Sequence, residues 1–161
     1  MKHYKIISGG QTGVDIAGLI AAKNNNLETS GHIPKGFLTL EGCKPEYHEL
    51  YNLIETKTSY YPERTALNVK NSDCTLWFGE NKQSNGKKCT FKNIIKYKKP
   101  YLDIDIGNMP KVDVIYQWMT NNDYNVINIA GNSESTSKGI QEKLENYLTE
   151  LFSLLKKIEI K

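Results

Sequence analysis

The sequence predicts an α/β protein with a three-layer Rossmann-like fold, a mostly parallel sheet flanked by helices. Three observations carry that expectation: strand-like apolar runs alternate with helical periodicities, several of the runs end on glycine, and the last segment is a long amphipathic helix. Such alternation implies parallel strands joined by right-handed crossovers, and ligands bind outside the carboxyl ends of those strands.

The first apolar run, Tyr4 to Ile7, breaks into Ser8-Gly9-Gly10-Gln11-Thr12-Gly13-Val14-Asp15. Gly9, Gly10 and Gly13 lack a Cβ and let the backbone approach a ligand closely. Val14, Ala17, Ala21 and Ala22, with Leu19 and Ile20 alongside, continue at helical spacing. The turn therefore opens on a helix N-terminus, where unpaired N–H groups and the aligned peptide dipoles favour an anion. It is not a Walker A loop, which needs Lys-Ser/Thr after the last glycine, and its spacing departs from G-x-G-x-x-G. A purely structural glycine turn is the alternative.

A second strand is expected over Thr29 to Ile33, followed by the turn Pro34-Lys35-Gly36. Residues 37 to 60, with Gly42, Pro45 and many polar and Tyr residues, read as a long irregular loop that covers a ligand. A helix is expected from Pro62 to Asn71 with Pro62 in its first turn, and Cys74 to Phe78 reads as a buried strand. A glycine-containing turn, Gly79 to Cys89, leads into a helix near Thr90 to Lys98 and then the strand Tyr101 to Ile106. Val112, Ile115, Tyr116 and Met119 recur at helical spacing, and Val126 to Ala130 is a strand that ends at Gly131. In the last segment Ile140, Leu144, Tyr147, Leu148, Leu151, Leu154 and Leu155 form an apolar stripe.

At 161 residues, 24% of them charged and 39% hydrophobic, the chain is expected to form a single domain over 1–161 with ordinary globular composition. No signal peptide is read at the start, and no apolar run approaches the roughly 20 residues of a membrane helix, so no membrane partner is expected. The net charge of +3 is mild and its lysines are scattered, which gives no argument for nucleic acid. Three cysteines without C-x-x-C spacing, Cys43, Cys74 and Cys89, suit a reducing compartment, and a cytoplasmic protein is expected. His32, Cys43 and His48 lack metal-ligand spacing and read as loop and surface residues, so no metal site is expected.

The turns after the first strand, after Phe78 and after Ala130 should open on one edge of the sheet. The second holds Ser84, Asn85, Gly86, Lys87, Lys88 and Thr90, and the third Gly131, Asn132 and Ser133. Such residues suit phosphate, and equally suit solvated turns and caps. Arg64, between Glu63 and Thr65, stands out because nearly all the positive charge is lysine. Its planar fork fits phosphate or carboxylate, with a surface ion pair as the alternative. Tyr60 and Tyr61 could stack on a base or pack over a helix.

These segments together resemble the YpsA-type, LOG-like Rossmannoid proteins of the SLOG superfamily, the "putative molybdenum carrier" family. The matching pieces are Ile7 to Asp15, Gly31-His32-Ile33-Pro34-Lys35-Gly36, Glu55-Thr56 to Tyr60, Glu63 to Leu76, Lys99-Pro100 and Asn128-Ile129-Ala130-Gly131, in order over residues 4 to about 152. The resemblance implies a nucleotide or nucleotide-derived ligand over the glycine-rich turns, and assembly as a homodimer or higher homo-oligomer. The molybdenum label implies carriage of the molybdenum cofactor, whose pterin phosphate would use the same anion site. Related LOG enzymes hydrolyse nucleoside monophosphates at the glycosidic bond.

The chain departs from the family pattern at several points. Ile16 stands where an arginine is usual, Lys87-Lys88-Cys89-Thr90 where a Gly-Thr turn is usual, and Asn132-Ser133 where Pro-Arg is common. Phe91, Lys92 and Asn93 offer no counterpart to the glutamate that the hydrolases use. The expected ligand-binding set is Ser8 to Asp15 with Lys35, Arg64, Thr65, Asn68, Gly86, Lys87, Lys88, Thr90, Gly131 and Asn132. In it the N–H groups of residues 9 to 14 take a phosphate, Arg64 and Lys87 or Lys88 take further anionic groups, and Asp15 or Asn68 takes ribose hydroxyls. The enzymatic alternative makes Asp15 or Glu63 the acid/base group of a nucleotide hydrolase.

Overall fold

A computed structural model describes residues 2–159; residues 1, 160 and 161 of the expected domain lie outside the described part. In chain order the elements are β1 (Lys5–Ile7), α1 (Val14–Asn24), β2 (Glu28–Ile33), β3 (Leu38–Thr39), β4 (Gly42–Cys43), α2 (Tyr47–Tyr51), β5 (Leu53–Glu55) and α3 (Tyr61–Lys70). They continue with β6 (Cys74–Gly79), α4 (Asn85–Tyr97), β7 (Tyr101–Asp105), α5 (Val112–Asn121), β8 (Val126–Gly131) and α6 (Ile140–Glu159).

Six strands form one sheet in the order β5-β2-β1-β8-β6-β7, and every neighbouring pair is parallel. The three-residue β1 sits in the middle, with Ile6 opposite Thr29 of β2 on one side and Ile127 of β8 on the other. The chain builds outward from β1 to β5, crosses to β6 and β7, and returns with β8 beside β1. That reversal leaves a crevice at the carboxyl ends of β1, β8 and β6.

Helices cover both faces, α1, α5 and α6 packing together on one and α3 and α4 on the other. This is the three-layer architecture read from the alternation of elements. Strand β6 is buried at all six positions because helices cover both of its sides. In α6, Ile140, Leu144, Leu148, Leu151, Phe152 and Leu155 are buried, while Tyr147 and Leu154 pack at the margin. The expected stripe is the core face of that helix. No helix among the described residues is long and apolar enough to cross a membrane.

Two expectations are corrected. Residues 37 to 60 are not an irregular loop: they hold the antiparallel pair β3–β4, the short helix α2 and the edge strand β5. These elements are two to five residues long, too short to show a period, and β5 buries only Leu53 while Ile54 stays exposed. Helix α4 begins at Asn85 rather than Thr90. Ser84 caps it, its hydroxyl accepting the Lys87 N–H at 3.1 Å while its carbonyl accepts the Lys88 N–H at 3.0 Å. The polar run Gly86-Lys87-Lys88 lies in the first turn of that helix.

Close packing of α1 on the sheet depends on Gly18. A Cβ there would lie 2.8 Å from Cγ2 of Ile129 in β8. Alanine is the better helix former by about 1 kcal/mol, but overpacking costs about 1–3 kcal/mol. Gly18→Ala is therefore expected to lower stability in denaturant unfolding, and a rise in the urea midpoint would show that the contact is loose.

Candidate functional site

The site is built where the turn after β1 meets α3. Gly13 takes φ of +86° and starts α1, whose first N–H, that of Val14, donates to the carbonyl of Asn132 at 3.2 Å. One helical position further, Asp15 turns its carboxylate back toward the turn. There it accepts the Gln11 N–H at 3.3 Å, and the Gly9 N–H also favours its charged form. Ser8 completes the closure, its hydroxyl donating to the Asp15 carbonyl at 2.9 Å and accepting the Gly10 N–H at 3.2 Å.

Arg64 reaches this carboxylate from the other helical layer. Its Nη1 lies 2.8 Å from Asp15 Oδ2, in a pair whose side chains are 11% and 8% exposed. The guanidinium occupies the space that a side chain at position 9 would fill, so a Cβ on Gly9 would overlap it. Burial pushes the Asp15 carboxyl above the usual carboxylate range, while Arg64 and the two backbone donors pull it back. On α3, Asn68 lies one turn beyond Arg64 and shares its face. Its amide accepts the His32 N–H at 2.8 Å and donates to the His32 carbonyl at 3.0 Å, which fastens α3 to β2.

Around this pair opens a cavity of about 650 Å³. Gly9, Gln11, Asp15, Arg64, Thr65 and Asn68 line its floor and one wall. The far side is formed by Ser84, Asn85, Gly86 and Thr90 at the start of α4, and by Gly131, Asn132, Ser133 and Thr136 after β8. The mouth is bounded by Leu38, Thr39 and Leu40 of the β3–β4 hairpin and by Tyr61. Gln11 ties the hairpin down: its Oε1 accepts the Thr12 N–H and the Leu40 N–H, each at 2.9 Å.

The structure thus brings Gly9, Gln11, Asp15, Arg64, Thr65, Asn68, Gly86, Thr90, Gly131 and Asn132 to one cavity. Other expected site residues lie elsewhere. Gly10 packs against Leu53 and Ile33, Val14 is fully buried, and the Thr12 hydroxyl accepts the Glu134 N–H at 3.3 Å behind the turn. Lys87 reaches the edge of the sheet, where its ammonium pairs with Asp103 at 3.0 Å, and lies outside the cavity lining. Lys88 and Lys35 are exposed and outside the lining. Glu63 also lies outside it, accepting the Thr58 hydroxyl at 2.8 Å.

The expectation that the N–H groups of residues 9 to 14 await a phosphate is corrected too. Those of Gly10, Gln11, Thr12 and Val14 already have protein acceptors, in Ser8, Asp15, Gln11 and Asn132. A composition-based reading could not foresee this, because it turns on where Asp15 and Gln11 point.

Trp77 and Asn128 line the cavity without having been picked from the sequence. Trp77 looks like a core residue of a buried strand, yet its Nε1 is buried without a partner. Asn128 was legible in principle as a lone amide inside Val126-Ile127-Asn128-Ile129-Ala130; buried at 2% exposure, it donates to the Thr75 hydroxyl at 3.1 Å. Among the described residues no group of three or more His, Cys, Asp or Glu is placed to hold a metal ion.

The chain matches the circularly permutated YpsA SLOG family over residues 6–152. It is also similar to the crystal structure of "Putative molybdenum carrier protein" from Syntrophus aciditrophicus SB, at 36% identity and a TM-score of 0.84, over 94% of this chain and 95% of that one. No curated protein matches it. The resemblance read from the motifs is in this way confirmed.

Removing one partner of a buried pair strands the other, at about 3–5 kcal/mol. Arg64→Met is expected to cost that order of stability in urea unfolding, and the double variant Asp15→Leu/Arg64→Met markedly less. In the single variant Asp15 keeps its burial and loses its cation, so its folded-state pKa rises further above the unfolded value of about 3.9. The native state then binds more protons than the unfolded state, and the variant should lose stability as pH rises from about 4 toward 7. A double variant no more stable than the single one would refute the pairing argument.

Proposed function

We propose that this chain, which belongs to the circularly permuted YpsA SLOG family, binds a nucleotide or nucleotide-derived small molecule and works by holding it, as a sensor, carrier or sequestering protein. The observation that carries the reading is the cavity at the strand-order reversal. Its volume of about 650 Å³ falls within the range of small-molecule pockets, and it lies outside the carboxyl ends of parallel strands, where such folds take ligands.

The chemistry of the walls supports a nucleotide-sized ligand with distinct ends. At the far side the first turn of the 13-residue helix α4 presents Asn85 and Gly86, whose N–H groups have no intrahelical acceptors. The hydroxyls of Ser84, Thr90, Ser133 and Thr136 stand around them. This end suits a phosphate better than the turn after β1. The other end holds Asp15, Arg64, Thr65 and Asn68, with Tyr61 at the mouth for stacking.

Holding rather than cleaving is favoured because Asp15 is the one carboxylate among the described lining residues, and it is bound to Arg64 and the Gln11 N–H. A glycosidic or phosphoester hydrolase needs a group free to move a proton at the scissile bond. Carriage of the molybdenum cofactor is the second reading, supported by the name of the similar Syntrophus protein. In that case the cavity takes the organic part of the cofactor, since its lining offers no cluster of metal ligands.

The test is native mass spectrometry of protein purified from cells, with thermal-shift titrations against nucleoside mono- and diphosphates. A bound mass of nucleotide size, or a stabilising shift of several degrees, is expected. Incubation with nucleoside monophosphates should release neither base nor phosphate. Released base would favour the hydrolase, whereas pterin fluorescence with stoichiometric molybdenum would favour the carrier.

A further inference from the structure

The glycine turn carries its own anion. The carboxylate of Asp15 sits where the Gln11 and Gly9 N–H groups converge, and Gln11 Oε1 takes the Thr12 N–H. A phosphate brought to this end would meet a buried like charge and find the nearby donors engaged. The Asp15–Arg64 pair is neutral as a unit, yet it is not saturated. Arg64 spends Nη1 on Asp15, while its Nε is buried without a partner in a side chain that lines the cavity. A carboxylate offers about four acceptor positions, and Arg64 and Gln11 take two, both on Oδ2. What remains is a guanidinium donor edge beside a carboxylate with acceptor capacity to spare.

Resting on the binding function above, we propose that this end reads the oxo edge of a fused heterocycle: two adjacent acceptors followed by one N–H donor. A 6-oxopurine presents that row at N7, O6 and N1–H, and a 4-oxopteridine presents the same row at N5, O4 and N3–H. A guanidinium pairs with the two acceptors as arginine does with the O6/N7 edge of guanine, and the carboxylate accepts the N–H. Adenine places an amino group where the row needs O6, so a donor would face a donor. Asn68 cannot substitute for Asp15, because its amide is spent on the His32 backbone. Asp15 is on this account the specificity-determining residue: it keeps phosphate off the glycine turn and selects the base.

Inosine and adenosine monophosphates differ at this edge and share sugar and phosphate, which makes them the decisive pair. Isothermal titration of the full chain is run with both, and with neopterin as the pteridine source. Inosine monophosphate or neopterin is expected to bind at least about tenfold tighter than adenosine monophosphate. Asp15→Asn should erase that preference, and the ligand comparison on the unaltered protein stands whether or not the variant folds. Binding of neopterin alone would support the edge and overturn the nucleotide reading. Equal or tighter binding of adenosine monophosphate would overturn the edge and leave the nucleotide reading intact. No binding by any of the three would overturn both.

Discussion

The ion pair between Asp15 and Arg64 is the constraint around which the site is arranged. It joins the first turn of α1 to α3, helices that belong to opposite layers, across the carboxyl edge of the sheet. Three sequence features serve it: a glycine at position 9 that leaves room for the guanidinium, a turn whose N–H groups face the carboxylate, and an asparagine one turn along α3 that anchors the helix to β2. A buried pair of this kind is expensive to desolvate and is tolerable only with further hydrogen bonds. The turn provides them, and in doing so gives up its vacancy for an outside anion.

Much of the fold was legible because the signals were long and periodic. The stripe from Ile140 to Leu155 could only be an amphipathic helix, and Cys74 to Phe78 has the unbroken apolar character of a strand covered on both faces. What escaped was short or locally decided. Strand β5 buries one residue of three, and α2 is one turn and a fraction long, so neither leaves a pattern above noise. The start of α4 is decided by a single cap at Ser84, and the polar composition of residues 85–88 hides it.

The site divided along the same line. Residues presented by backbone position, such as Gly9, Gly131 and Asn132, fell where the strand-end rule put them. Residues whose role depends on side-chain direction did not all follow. Lys87 turned to Asp103 at the sheet edge, and Glu63 turned to Thr58. Periodicity places a side chain on a face but leaves its partner to the whole fold. A buried tryptophan in an apolar strand gives no sign in the sequence that its indole nitrogen will be left without an acceptor.

One atom shared by two neighbours has a mechanical meaning. Oε1 of Gln11 receives the N–H of Thr12 in the turn and the N–H of Leu40 at the hairpin tip, where Leu40 stands 65% exposed above the mouth. Rotating that amide away releases both bonds together. The floor and the rim of the cavity are therefore joined at a single side-chain oxygen, which serves as their common pivot.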